Sequence, residues 1–115
     1  EDPRKSETIQ KGTDLCLKAL PVWDEESGAI DMYYWYYATL AMFQVGGSHW
    51  KKWNQAMTEA IVRHQWPEKS GSRTGSWDPI GPWGPDGGRV YSTACMVLCL
   101  EIHYRYDRVF GARTR

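Results

Sequence analysis

The chain has 115 residues, the size of one ordinary domain. Its 14 Lys and Arg balance 14 Asp and Glu, so no net charge draws it to nucleic acid or an anionic membrane. No apolar run is long enough to span a membrane, the longest being broken by Thr39 and Gln44, and three cysteines make no paired disulfide framework. Aromatic usage is lopsided, with 7 Trp and 7 Tyr against 2 Phe. Indoles and phenols suit half-buried positions where a polar handle finds a partner, such as pocket walls and interfaces.

The chain opens on Glu1-Asp2-Pro3 without an initiator Met or a signal peptide, which leads us to expect an excised or processed piece. Nothing in the sequence names a compartment. Ser6 and Glu7 start a predicted helix over 6–20 that carries Ile9, Cys16, Leu17 and Leu20 and stops before Pro21. Residues 22–29 read as a loop, with Asp24-Glu25-Glu26 in solvent. Asp31 caps a second helix over 31–44, where an acid suits the positive end of the dipole. That helix is apolar or aromatic nearly all round, the pattern of an element buried on more than one side.

Gly46-Gly47 ends it, and Ser48 is placed to cap a third helix over 49–65. Here Trp50, Trp53, Met57, Ala60, Ile61 and His64 share one face, while Lys51, Lys52, Gln55, Glu59 and Arg63 lie elsewhere. Residues 66–88 are rich in Gly, Pro and Ser and read as a long loop without regular structure. A fourth helix is expected over 89–106, again apolar nearly all round, followed by a solvated basic end with Arg105, Arg108, Arg113 and Arg115. Tyr37-Ala-Thr-Leu-Ala-Met42 is echoed by Tyr91-Ser-Thr-Ala-Cys-Met96, which suggests a repeated supersecondary unit.

Amphipathic and buried helices thus alternate. The expected fold is all-α: two antiparallel helical hairpins in one module over 1–115, a fragment or terminal module of an α/α toroid. Two hairpins supply few neighbours for two wholly apolar helices. We therefore expect partners in further repeats of a longer chain or in another subunit.

Several motifs carry a resemblance. Tyr34-Trp35-Tyr36-Tyr37, Phe43-Gln44, Gly46-Gly47 and Trp50-Lys-Lys-Trp53 are joined by Gly75-Ser-Trp77-Asp-Pro79, Gly87-Gly-Arg-Val-Tyr-Ser-Thr93 and Leu100-Glu-Ile-His-Tyr-Arg-Tyr106. Over about residues 9–106 the chain resembles the prenyltransferase and squalene-oxidase repeat family, closest to its squalene-hopene cyclase-like bacterial members. The resemblance implies a structural tie built from Trp53, Gln65, Gly75 and Trp77, in which the Gln amide bonds across the inter-helix loop and stacks on the Trp. Residues 66–74 separate Gln65 from Gly75, a longer interval than the family's usual one.

The chemistry-bearing residues point away from catalysis. Cyclases of this superfamily use an Asp-x-Asp-Asp acid, and the chain has none. Asp78 and Asp86 flank a Gly-Pro segment and read as turn formers rather than cation ligands. Cys95, Cys99 and His103 recur every four residues on one helical stripe, residue types that bind zinc. Positions eight apart are about 12 Å apart along the axis at ~1.5 Å per residue, too far to converge on one ion. His49 and His64 have no evident partner in sequence. No Gly-x-Ser-x-Gly elbow and no phosphate loop occurs. We expect no catalytic residue, metal or cofactor.

The tyrosines remain. Consecutive helical residues turn by about 100°, so Tyr33, Tyr34, Trp35, Tyr36 and Tyr37 cannot all enter one core. Tyr33, Tyr34, Tyr36, Tyr37, Trp77, Trp83 and Tyr91 are the candidate ligand-binding residues. The function read from the sequence is a non-catalytic repeat module that packs against further repeats, or binds an apolar or isoprenoid ligand or a protein. The alternative is a segment of an isoprenoid-processing enzyme whose acid lies outside this chain. A third reading, sugar binding by Trp77 and Trp83, requires both rings to be exposed and parallel.

Overall fold

The computed structural model describes residues 2–102 and 104–106. Among these, all regular structure is helical: a 3-10 turn at Pro3–Lys5, α1 Glu7–Leu17, α2 Met32–Val45, α3 Gly47–Val62, a second 3-10 turn at Gly71–Arg73 and α4 Gly84–Leu100. Two of the starts follow side-chain capping. Ser6 accepts from the Ile9 amide at 3.4 Å, and Asp31 accepts from the Tyr34 amide at 3.0 Å. The third start differs. Gly46, not Ser48, stands at the α2–α3 junction, and Ser48 lies inside α3 with no capping bond at that end.

Helix α4 begins well before residue 89. Pro85 is tolerated because the first-turn N–H groups have no partner in a helix anyway. At Gly88 the backbone swings to φ 76°, ψ −173°, a conformation open to glycine, and the helix restarts on a new axis. The expected loop 66–88 is therefore shorter, and it contains the 3-10 turn besides. Its neck is closed by two backbone bonds, Trp66 N–H to Ser76 at 2.9 Å and Gly75 N–H to Trp66 at 2.8 Å.

Helix α2 is the centre of the molecule, packed against α4, α3 and α1. Trp35, Met42 and Phe43 of α2 form one buried cluster with Trp53, Met57 and Ile61 of α3, Trp77 of the long loop, and Met96 and Cys99 of α4. Every apolar residue expected on the inner face of α3 is buried; His64, at its end, is exposed. The polar atoms in this core are matched. Thr39 is fully buried, receives the Trp53 indole N–H at 2.9 Å and donates its own hydroxyl to the Trp35 carbonyl.

The two apolar helices are not covered all round. Tyr33 and Tyr37 leave one edge of α2 open, and α4 turns Ser92, Met96 and Cys99 inward while Val90 is 85% and Val97 43% exposed. The reason is position: α2 has neighbours on several sides, whereas α4 lies at the margin of the cluster. Helix α1 buries Thr13 alone and is tied down by Asp14 Oδ1 to His49 Nε2 at 2.7 Å. That contact supplies the partner for His49 that the sequence does not reveal. His103 and the arginines at 108, 113 and 115 lie outside the described residues.

Candidate aromatic groove

The site is prepared by a polar clamp. Asp78 Oδ1 accepts the Trp66 indole N–H at 2.7 Å and the Arg89 guanidinium at 2.7 Å, and Arg89 also reaches Ser76 Oγ at 2.9 Å. Arg73 lies over the Trp66 ring at 5.1 Å. Ser92 Oγ donates to the Trp77 carbonyl at 2.6 Å, and Thr93 Oγ1 receives the Trp77 amide at 3.3 Å. Partial burial pushes the Asp78 carboxyl up, but the indole and guanidinium donors outweigh it and hold its pKa below the ordinary value. The clamp fastens the loop to α4 just below the kink and so fixes where Trp83 and the first turn of α4 stand.

Above that clamp, Tyr33 from the start of α2 meets Trp83, Asp86, Gly87 and Tyr91 around an open groove of about 420 Å³. Tyr33 and Trp83 are each 53% exposed, with ring centroids 6.4 Å apart and planes inclined by 53°. Tyr37 extends the aromatic wall, its ring 4.8 Å from that of Tyr33 and inclined by 53°. The neighbouring Tyr37 phenol raises the Tyr33 pKa. Tyr91 points back along α4 onto the turn before it, as long helical side chains do. Gly87 makes this possible, because a Cβ there would sit 2.5–2.8 Å from atoms of the Tyr91 side chain. Burial, with the neighbouring Cys95 thiol and the Asp31 charge, pushes the Tyr91 phenol up to about 12. It keeps its proton at neutral pH.

Three of the seven candidate residues, Tyr33, Trp83 and Tyr91, line this groove, and Tyr37 stands beside it. Tyr36 meets Tyr37 edge-on at 5.2 Å. Tyr34 and Trp77 are elsewhere. Tyr34 packs edge-on against Trp53 and donates its hydroxyl to the Ala19 carbonyl at 3.2 Å, which ties the α1–α2 connection to the core. Trp77 is 1% exposed and donates its indole N–H to the Ile61 carbonyl at 2.7 Å. It is a core residue, so the paired exposed rings required for sugar binding do not form.

The structural quartet behaves differently. Gln65 Nε2 donates to the Gly75 carbonyl at 3.0 Å, across the long interval, because the paired neck at Trp66 and Ser76 brings the two ends together. Trp53 and Trp77 each cap a buried acceptor, Thr39 Oγ1 and the Ile61 carbonyl.

The histidine and the buried cysteine have other surroundings. His64 stacks on Trp23 at 4.6 Å with planes 6° apart, and its Nδ1 lies 2.8 Å from the Ala60 carbonyl. Cys95 and Cys99 are free thiols, and burial pushes Cys99 up to about 12, consistent with a packing role. No cluster of three or more metal-ligating side chains occurs among the described residues. Asp78 and Asp86, which flank the same Gly-Pro segment, do separate work: Asp78 is consumed by the clamp, and Asp86 faces the groove.

The sequence points to the aromatic members of the groove but not to Asp86 or Gly87 as parts of it. A four-residue step from Gly87 to Tyr91 was the available signal, and it becomes readable only once α4 is known to start before residue 89. No described helix is long and apolar enough to cross a membrane. In comparison with known proteins, the chain matches no family model, no curated protein and no solved structure.

Proposed function

We propose that this chain is a non-catalytic helical module of the α/α-toroid type that holds an apolar ligand at the aromatic groove and packs against further repeats or another subunit. The groove carries the reading. Two half-exposed rings, Tyr33 and Trp83, stand with Tyr91 around an open space, where rings without a ligand leave apolar area in water. Its polar members favour holding over proton transfer. Tyr91 holds its proton tightly, and the lining offers Asp86 no histidine or lysine to exchange a proton with.

The packing half of the proposal rests on α4. Val90, Ala94 and Val97 form an uncovered apolar stripe on the side away from the core. The echo between Tyr37–Met42 and Tyr91–Met96 supports a repeated unit, since Ala38 and Ser92, and Met42 and Met96, are buried in both copies. Resemblance to the squalene-cyclase-like repeat family supports the same architecture.

Titration with farnesol, followed by the indole N–H resonances, tests the ligand reading. Saturable movement of the Trp83 signal, with Trp35, Trp53 and Trp77 stationary, is the expected outcome. A stationary Trp83, or equal movement of the buried indoles, refutes it.

A further inference from the structure

The chemistry of the groove is more specific than an apolar surface. Its lining combines three aromatic side chains with a single carboxylate and contains no Lys, Arg or His. Asp86 makes no hydrogen bond or ion pair with any described residue, so its charge is available to a ligand. The Asp31 carboxylate acts on the Tyr91 phenol from the adjoining end of α2 and adds to the negative field. Arg89, the nearest cation along α4, is turned away into the clamp with Asp78.

We propose that the groove binds a small free solute carrying a methylated ammonium group, seated against Tyr33, Trp83 and Tyr91 with Asp86 as counter-charge. This deepens the ligand-binding reading and rests on it. A methylated ammonium has an apolar surface that leaves water readily and a diffuse positive charge that aromatic rings attract. Neither a bare metal ion nor a neutral hydrocarbon uses both features of the lining. The occupant is a free solute rather than a phosphocholine headgroup, because the headgroup's phosphate would meet Asp86 and Asp31 with no cation in the lining to receive it.

The experiment compares choline with its uncharged isostere 3,3-dimethyl-1-butanol at constant ionic strength, again reading the Trp83 indole resonance, assigned with W83F. Choline is expected to move it saturably, with the alcohol at least fivefold weaker. Asp86→Asn should weaken choline by roughly fivefold, the scale of an exposed ion pair near the upper end of its range, and leave the alcohol unchanged. Trp83→Ala should abolish the site, read as loss of binding of a fluorescent quaternary ammonium probe that choline displaces from the parent chain. Equal affinity for choline and the alcohol, or an Asp86→Asn variant that binds choline normally, overturns the cation proposal while the groove stands as an apolar site. Movement by neither compound, with farnesol also silent, overturns both readings. Phosphocholine binding as tightly as choline overturns the free solute in favour of a headgroup.

Discussion

Two sets of aromatic residues in this molecule, all carrying a polar handle, have opposite fates. Trp53 and Trp77 are sealed in the core, each with its N–H given to an internal acceptor, Thr39 Oγ1 and the Ile61 carbonyl. Trp83, Tyr33 and Tyr37 are half in water, and the indole N–H of Trp83 has no hydrogen-bond acceptor among the described residues. The difference teaches what decides the place of an amphipathic ring. Burying an indole removes about 150–250 Å² of surface, but only a matched N–H makes that burial favourable in full. For Trp53 and Trp77 an acceptor brought in by the tertiary fold accompanies full burial, whereas Trp83 finds none and stays at the surface, available to a ligand.

The sharpest way to break this comparison is Trp77→Ala. It removes a buried ring together with its bond to the Ile61 carbonyl, so a loss of about 3–5 kcal/mol is expected in urea unfolding. That is much of the stability of an ordinary domain. A loss below about 1 kcal/mol would show that the indole is not the pin described here.

An intermediate effect is expected at Asp78. Its folded-state pKa is depressed below the ordinary carboxylate value near 3.8. The contribution is therefore present above that value and disappears as pH falls through the lower folded-state pKa. Its carboxylate and its Arg89 partner are each about one-third exposed, so solvent screening limits the pair to about 1 kcal/mol or less. Asp78→Asn should lower stability by about 1 kcal/mol or less in the neutral region and flatten the acid limb below about pH 4, where the parent chain loses the same contribution. An acid limb identical to that of the parent chain would remove Asp78 from the account.

The smallest effect belongs to Trp83→Ala. An exposed ring without an internal hydrogen bond should change stability by no more than about 0.5 kcal/mol, while ligand binding at the groove is lost. A strongly destabilised Trp83 variant would turn the groove wall into a structural element and erase the contrast with Trp77.

Much of the local structure was legible in the chain. Ser6 and Asp31 cap as expected because a short polar side chain before an apolar run has one good use, satisfying a first-turn amide. The inner face of α3 was readable from its period, Trp50, Trp53, Met57, Ala60 and Ile61. The start of α4 was not, since Gly84-Pro85-Asp86-Gly87-Gly88 has the composition of a loop. Packing overrides it: Gly84 is buried so closely under the Pro79 carbonyl that a Cβ would collide. The site was half legible. Tyr33, Trp83 and Tyr91 stand out by residue type, but Tyr34 and Trp77 stand out equally and belong to the core.

Sequence alone determined that this chain is helical, where its first two helices start, and that it carries more indoles and phenols than a simple core can use. Periodicity and capping are contained within a few consecutive residues. Tertiary structure decided which rings are sealed and which are open, because the acceptors for Trp53 and Trp77 come from residues 14 and 16 positions away. It also decided that Asp14 meets His49 and that Asp86 shares a groove with Tyr33. A charge or a hydrogen bond acts over a few ångströms of space, and distance along the chain does not report it.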